Sequence, residues 1–159
     1  VSMDERFFEC LQSRGWKIER YEGAAPGVPE TLRKRYPAAE RWLSWIGGVK
    51  SAVSGDEAEW LLCAEDYAGQ SGTAFRWNEW ELLSLESAEG DPAWEAEIRR
   101  FWDLHLPIVM SVADGRYSYH ALSAADGAVV SGGEPEFEAC ERTAGSLREF
   151  AEKFAEGMV

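Results

Sequence analysis

Apolar residues recur at helical spacing in four stretches of the chain, which predicts four helical regions. In the first stretch, "DERFFECLQSRGW", Phe7, Phe8 and Leu11 fall on one side. Asp4 is the expected cap of this helix and Gly15 its expected end. The four stretches are residues 4–16, 29–48, 89–105 and 143–157.

Prolines and capping residues set the ends of the other three helical regions. Pro29 suits a first helical position, and Pro37 should divide its region into two pieces. Asp91 caps the third region, in which Trp94, Ile98 and Phe101 or Trp102 form a stripe. The fourth opens with Ser146 and Glu149 in a capping box. Its buried side is expected to hold Leu147, Phe150 and Phe154.

Strand patterns occupy the middle of the chain. "EAEWLLCAE", residues 57–65, is a short apolar run between charges. "TAFRWNEWELLSL", residues 73–85, alternates apolar and polar positions with one slip. We interpret the second stretch as a strand, a bend near Asn78-Glu79 and another short strand.

The stretch "LPIVMSVADGRYSYHAL" and the residues after it predict three antiparallel strands. Residues 108–112 form a buried strand, and residues 113–116 form a hairpin turn in which glycine permits positive φ. The second strand follows, and Asp126-Gly127 turns the chain into residues 128–130. The result is a three-strand meander.

The middle strand of this meander has two different faces. Tyr117 and Tyr119 point to one face and His120 to the other. One of these faces is expected to close on the terminal helix, and the pattern leaves open which one. "SGGEPEFEACE", residues 131–141, is predicted to be an acidic loop.

These elements predict an α+β fold. We expect a central, mostly antiparallel sheet with a C-terminal three-strand meander, packed by several helices. The 159 residues, of which 45% are hydrophobic and 13% aromatic, suit one domain over residues 1–159 with a sizeable core. Most of the eight tryptophans are expected in that core, with one or two left as surface anchors.

The net charge of −13 narrows the classes of partner. An acidic surface repels phosphate backbones and anionic lipid, so we expect neither nucleic acid nor a membrane as partner. The same surface attracts basic proteins. The alternative interpretation is that the charge only keeps the protein soluble.

The cysteines and the N-terminal residues bear on the compartment. Cys10, Cys63 and Cys140 are far apart, with no spacing typical of zinc ligands. An odd, sparse count favours a reducing cytoplasm. Residues 1–15 carry acids and an arginine where a signal peptide needs an apolar segment, and no run is long enough to span a membrane.

Candidate catalytic chemistry is sparse. His105 and His120 are the two histidines, and no pattern places a nucleophile beside either of them. "GQSGT", residues 69–73, lacks the last glycine of a nucleophile elbow. The two glycine-rich phosphate-binding motifs, GxGxxG and GxxxxGK(S/T), do not occur in the sequence. The pattern favours a binding protein without a cofactor over an enzyme. A hydrolase using either histidine remains an alternative.

Three segments, in order, resemble the SMI1/KNR4 superfamily, also called SUKH. They are "VPETLRKRYPAAERWLSWIGG", then "LHLPIVMSVADGRYSYHAL", and finally "GAVV" followed by "TAGSLREFAEKF". "EWELLSLESA" lies where the family has a short similar segment. The resemblance covers most of residues 28–156 and departs at Ile46, where the family often has Asn before two glycines.

The resemblance implies an α+β domain that binds a protein and has no established catalytic residues. Many bacterial members are thought to be immunity proteins that neutralise a toxin domain, often a nuclease. Fungal relatives act as regulatory scaffolds in cell-wall synthesis. The first hypothesis is therefore a cytoplasmic immunity protein that binds a basic toxin domain, and the second is a regulatory scaffold.

The acidic residues in predicted loops and strand ends are the candidate contacts for a basic partner, and two tryptophans are candidate anchors. No metal ligands are predicted. The candidate partner-binding residues are Asp56, Glu57, Glu59, Glu65, Asp66, Trp77, Trp80, Glu134, Glu136 and Glu138.

Overall fold

The computed structural model describes residues 2–71 and 75–159 of the chain. Over these residues it contains seven α-helices and seven strands. No helix in the described ranges is both long enough and apolar enough to cross a bilayer. The helices are α1 (Met3–Ser13), α2 (Glu30–Arg35), α3 (Glu40–Ile46), α4 (Ala64–Tyr67), α5 (Glu79–Ser87), α6 (Pro92–Asp103) and α7 (Leu147–Ala155).

The strands form one open sheet whose spatial order is the order of the chain. Every neighbouring pair is antiparallel, so each strand reverses the direction of the one before it. The predicted α+β class and antiparallel sheet are confirmed, and the predicted meander is its β4–β5–β6 part. The strands are β1 (Lys17–Arg20), β2 (Val49–Val53), β3 (Glu59–Leu61), β4 (His105–Ser111), β5 (Ser118–Ser123), β6 (Val129–Gly133) and β7 (Glu136–Ala144).

Helices cover both faces of the sheet. On one face, the ring of His120 lies 5.0 Å from that of Phe150 in α7. On the other, Tyr119 packs 5.1 Å from Trp102 of α6. Alternation along β5 therefore sends neighbouring side chains to different helices. It is the histidine face that closes on the terminal helix.

Buried aromatic residues with polar tips tie the helices to the sheet. Trp42 Nε1 donates to Tyr67 Oη at 3.1 Å, and that hydroxyl donates to the Pro107 carbonyl at 2.7 Å. Tyr36 donates in the same way to the carbonyl of Trp102. These three buried rings thus add apolar area without leaving their polar atoms unpaired.

The two strands predicted within residues 73–85 are wrong. From Glu79 the chain is helical, because Trp80, Ser84 and Ala88 recur at a spacing of four and bury one side. Phe75 and Trp77 lie in irregular structure before this helix, and residues 73–74 of the prediction fall outside the described residues.

The predicted acidic loop at residues 131–141 is also wrong. It contains the end of β6, a short turn and most of β7. Glutamates are uncommon in strands, but β7 is an edge strand, and charged side chains on an edge discourage further pairing. Asp4 is likewise not a cap, since α1 begins at Met3 and Ser2 holds the N-cap position.

A bulge in β7 shapes one end of the sheet. Gly132 pairs with Cys140, whereas Gly133 pairs with Glu136, so residues 137–139 lie between two consecutive partners of β6. Bulged strands bend and re-aim their side chains. Tyr119 crosses Gly132, and its hydroxyl donates to the Phe137 carbonyl within the bulge.

Replacing Gly132 tests this crossing. A Cβ at this position would lie 2.5 Å from Tyr119 Oη and 2.8 Å from its Cζ. Overpacking of this kind costs about 1–3 kcal/mol, so Gly132→Ala should lower the free energy of unfolding by that amount in a urea titration. Gly23→Ala is the control, since no atom lies within 4 Å of its added Cβ. Equal stability of the two variants would contradict the assigned contact.

Candidate functional site

Three hairpin turns lie side by side at one end of the sheet. The turns join β2 to β3, β4 to β5 and β6 to β7. Val112 N donates to the Ala58 carbonyl at 2.8 Å, and Glu134 N donates to the Tyr117 carbonyl at 2.9 Å. Each hydrogen bond links one turn to the next.

The three turns bring together carboxylates from distant parts of the sequence. Antiparallel strands lie about 4.8 Å apart, so the row from β3 to β7 is roughly 19 Å wide. Lys17, Arg116 and Arg14 are among the cations beside it. We name this surface the acidic end, and its carboxylates are Asp56, Glu57, Glu59, Asp114, Glu134 and Glu136.

Two of these carboxylates hold the turns that carry them. Asp56 accepts from Ser54 Oγ at 2.7 Å and from Ala58 N at 3.1 Å, and the serine bond lowers the pKa of Asp56. Glu134 accepts from Tyr117 N at 2.7 Å. Both side chains are therefore fixed in place, and Asp56 stays ionised at neutral pH.

The acids of this end that are exposed are Asp56, Glu57, Asp114 and Glu136. Glu57 and Asp114 have positive φ angles of 62° and 57°, which fixes tight turns at a small conformational cost. Glu57 lies 3.6 Å from Lys17, and because both side chains are exposed this ion pair contributes little to stability. Glu59 is half-buried, and burial raises its pKa.

Two predicted acids lie away from this end. Glu65 and Asp66 belong to α4, which follows the opposite end of β3. Asp66 is buried and accepts from Cys63 N at 2.8 Å, which closes the N-terminus of α4. Glu65 lies beside Tyr21, whose pKa is raised to about 12 by burial and then by this carboxylate.

The two predicted tryptophan anchors lie in different environments. Trp80 is fully buried, stacked 5.0 Å from both Tyr117 and Phe137. Trp77 is half-buried and packs 6.3 Å from Tyr36. Trp80 is therefore not exposed to a partner, whereas Trp77 stays a prediction.

The tryptophan that is exposed is Trp94, at 43%. It was expected in the buried stripe of its helix, but α6 turns Ile98 and Trp102 inward and leaves Trp94 outside. Trp94 lies in the first helical turn, three residues after the capping Asp91. This position was the sequence feature that could have indicated its exposure.

Three concave surfaces in the described part of the chain adjoin the acidic end. One, of about 630 Å³, is lined in part by Arg116, Glu134 and Glu136. Another, of about 1010 Å³, lies over β1, β2 and β3 and is lined in part by Glu57 and Trp60. The third, of about 710 Å³, lies between α5, α6 and β7 and contains Trp94, Glu136 and Glu138. Within the described ranges no three His, Cys, Asp or Glu side chains converge to hold a metal ion.

The two histidines have packing roles. His105 Nδ1 lies 2.7 Å from the Phe101 carbonyl, and its ring stacks on that phenylalanine at 4.0 Å. His120 lies beneath α7, where burial lowers its pKa to about 4. His120 faces Ser131 across the strand pair.

The chain matches no protein-family model, no curated protein and no solved structure.

The buried imidazole of His120 should make stability depend on pH. Its pKa is about 4 in the folded chain and about 6.5 when unfolded. The unfolded chain then binds more protons between these values, so this contribution is full above pH 6.5 and is lost as pH falls toward 4.

Urea titrations at about pH 7.5 and pH 5 measure the effect. The His120 contribution to the free energy of unfolding should fall by about 2 kcal/mol between them. His120→Gln should show a correspondingly smaller fall, because the glutamine does not titrate. The same fall in both proteins would show that His120 is not the group responsible.

Proposed function

We propose that the chain is a binding protein whose acidic end occupies a basic cleft on a protein partner. The observation that carries this proposal is the convergence of carboxylates from three separate hairpins at one end of a rigid sheet. A row of fixed negative charge accelerates encounter with a positive surface and excludes acidic competitors.

A toxin domain that acts on nucleic acid is the partner we propose. Such a domain needs a basic cleft for its substrate, and a row of carboxylates about 19 Å wide presents a comparable negative surface. The resemblance of the sequence to the SMI1/KNR4 superfamily supports the same role, that of a bacterial immunity protein. Binding of this kind blocks the cleft sterically and electrostatically.

A reducing cytoplasm is the proposed location. The structure leaves Cys10, Cys63 and Cys140 as free thiols, with Cys140 exposed, and an exposed free thiol suits a reducing compartment. The second candidate, a regulatory scaffold, would use the same surface for a partner that need not be basic.

Capture from lysate tests the proposal. The tagged protein should retain a basic protein with a nuclease or other toxin domain, and moderate salt should release it. With that partner purified, raising ionic strength from about 0.05 M to about 0.5 M should slow association by roughly tenfold. Stopped-flow mixing measures the rate.

A charge variant locates the surface. Glu57→Lys, Asp114→Asn and Glu136→Lys together should slow association at low salt by about tenfold or more, because all three side chains are exposed at the acidic end. The control is Glu9→Lys, Glu86→Gln and Glu97→Lys, which changes the net charge equally on exposed helical positions.

Comparing the two variants distinguishes binding through the acidic end from an effect of the overall charge. Equal slowing by both would show that only the overall charge matters and would contradict a specific acidic end. Retention of envelope-synthesis proteins that salt does not release would favour the scaffold.

A further inference from the structure

The cleft between α5, α6 and β7 adjoins the acidic end and shares Glu136 with it. The β7 bulge forms one wall, because residues 137–139 lie outside the regular ladder of hydrogen bonds and lean toward the helices. Leu83 and Ser84 of α5 form another wall, and Trp94 of α6 stands at the rim.

Glu138 is held rigidly at the cleft. Its Oε2 accepts from Ser84 Oγ at 2.8 Å and from Trp102 Nε1 at 2.8 Å. Its other carboxylate oxygen accepts from no donor in the described part of the chain. Glu138 is half-buried, and a carboxylate that has lost part of its hydration is stabilised by a nearby cation.

No lining residue in the described part of the chain supplies such a cation. Among the described residues, those that line the cleft include Glu136 and Glu138 but no lysine, arginine or histidine. Neither glutamate takes part in an ion pair with another described residue. The lining therefore carries uncompensated negative charge.

Trp94 contributes an aromatic surface to this negatively charged cleft. Its indole is 43% exposed, and its place is fixed by the helix start, where Trp94 N donates to Asp91 Oδ1 at 3.1 Å. An exposed tryptophan face attracts cations, and guanidinium stacks on it better than ammonium does.

We propose that this cleft binds an arginine side chain of the protein partner. The guanidinium plane lies on Trp94, and its N–H groups reach the free oxygen of Glu138 and the carboxylate of Glu136. A lysine lacks the planar fork and stacks less well. This inference rests on the proposed function for the identity of the partner, whereas the site itself is testable without that partner.

Titration with short peptides tests the site. The probes are the blocked tripeptides acetyl-Gly-Arg-Gly-amide and acetyl-Gly-Lys-Gly-amide, added to the full chain labelled with ¹⁵N. The arginine peptide should bind with a dissociation constant on the order of millimolar. It should shift the NMR signals of the Trp94 indole and of the amides of residues 137–139, and it should bind about fivefold more tightly than the lysine peptide.

Two variants on α6 provide the comparison. Trp94→Leu keeps an apolar side chain but removes the aromatic face, and it should weaken arginine binding by about fivefold. Leu104→Ala is the control, because Leu104 is also 43% exposed and lies at the other end of the helix. It should leave the affinity unchanged.

The outcomes separate this inference from the proposed function. No saturable shift at Trp94, shifts confined to Asp56 and Asp114, or an arginine affinity unaltered by Trp94→Leu would each overturn the cleft as an arginine site. Capture of a basic partner at the acidic end would then still stand. Selective arginine binding in the cleft, without capture of any basic protein, would support the site and refute the proposed function.

Discussion

The consecutive antiparallel order of the seven strands is the constraint on which the remaining structure depends. Because each strand reverses its predecessor, alternate turns meet at one end, and residues as far apart in sequence as Ala58 and Val112 become neighbours there. The crossing of Tyr119 over Gly132 fixes the last of these turns, since the tyrosine hydroxyl binds the backbone of the β7 bulge. The strand order and the β7 bulge together determine where the carboxylates of the acidic end lie.

The acidic end combines two kinds of carboxylate. Asp56 and Glu134 shape their turns through hydrogen bonds to the backbone, while Asp114 and Glu136 are exposed to a partner. Beneath them, Trp80 stacks between Tyr117 and Phe137, so the charged row stands on a packed aromatic layer. Preorganised charge of this kind favours rapid and specific association.

The sequence predicted α1, α2, α3, α6, α7 and the central meander because caps, prolines and tight turns are local signals. It failed at α5, where Trp80 and Leu82 suggested alternation although Trp80, Ser84 and Ala88 form a helical stripe. The prediction also failed at β7, because its many glutamates are typical of a loop although the segment is an edge strand. Asp114 was missed as a site residue because its proximity to Asp56 and Glu134 depends on strand order, which no local pattern specifies.

The most direct test of the central claim is a map of the contact surface. Zero-length carbodiimide cross-linking joins a carboxylate to a lysine that touches it, and mass spectrometry of the complex with the captured basic partner identifies the carboxylate. If the acidic end contacts the partner, we expect cross-links from Glu57, Asp114 and Glu136. Cross-links confined to the helical acids Glu9 and Glu152 would contradict it.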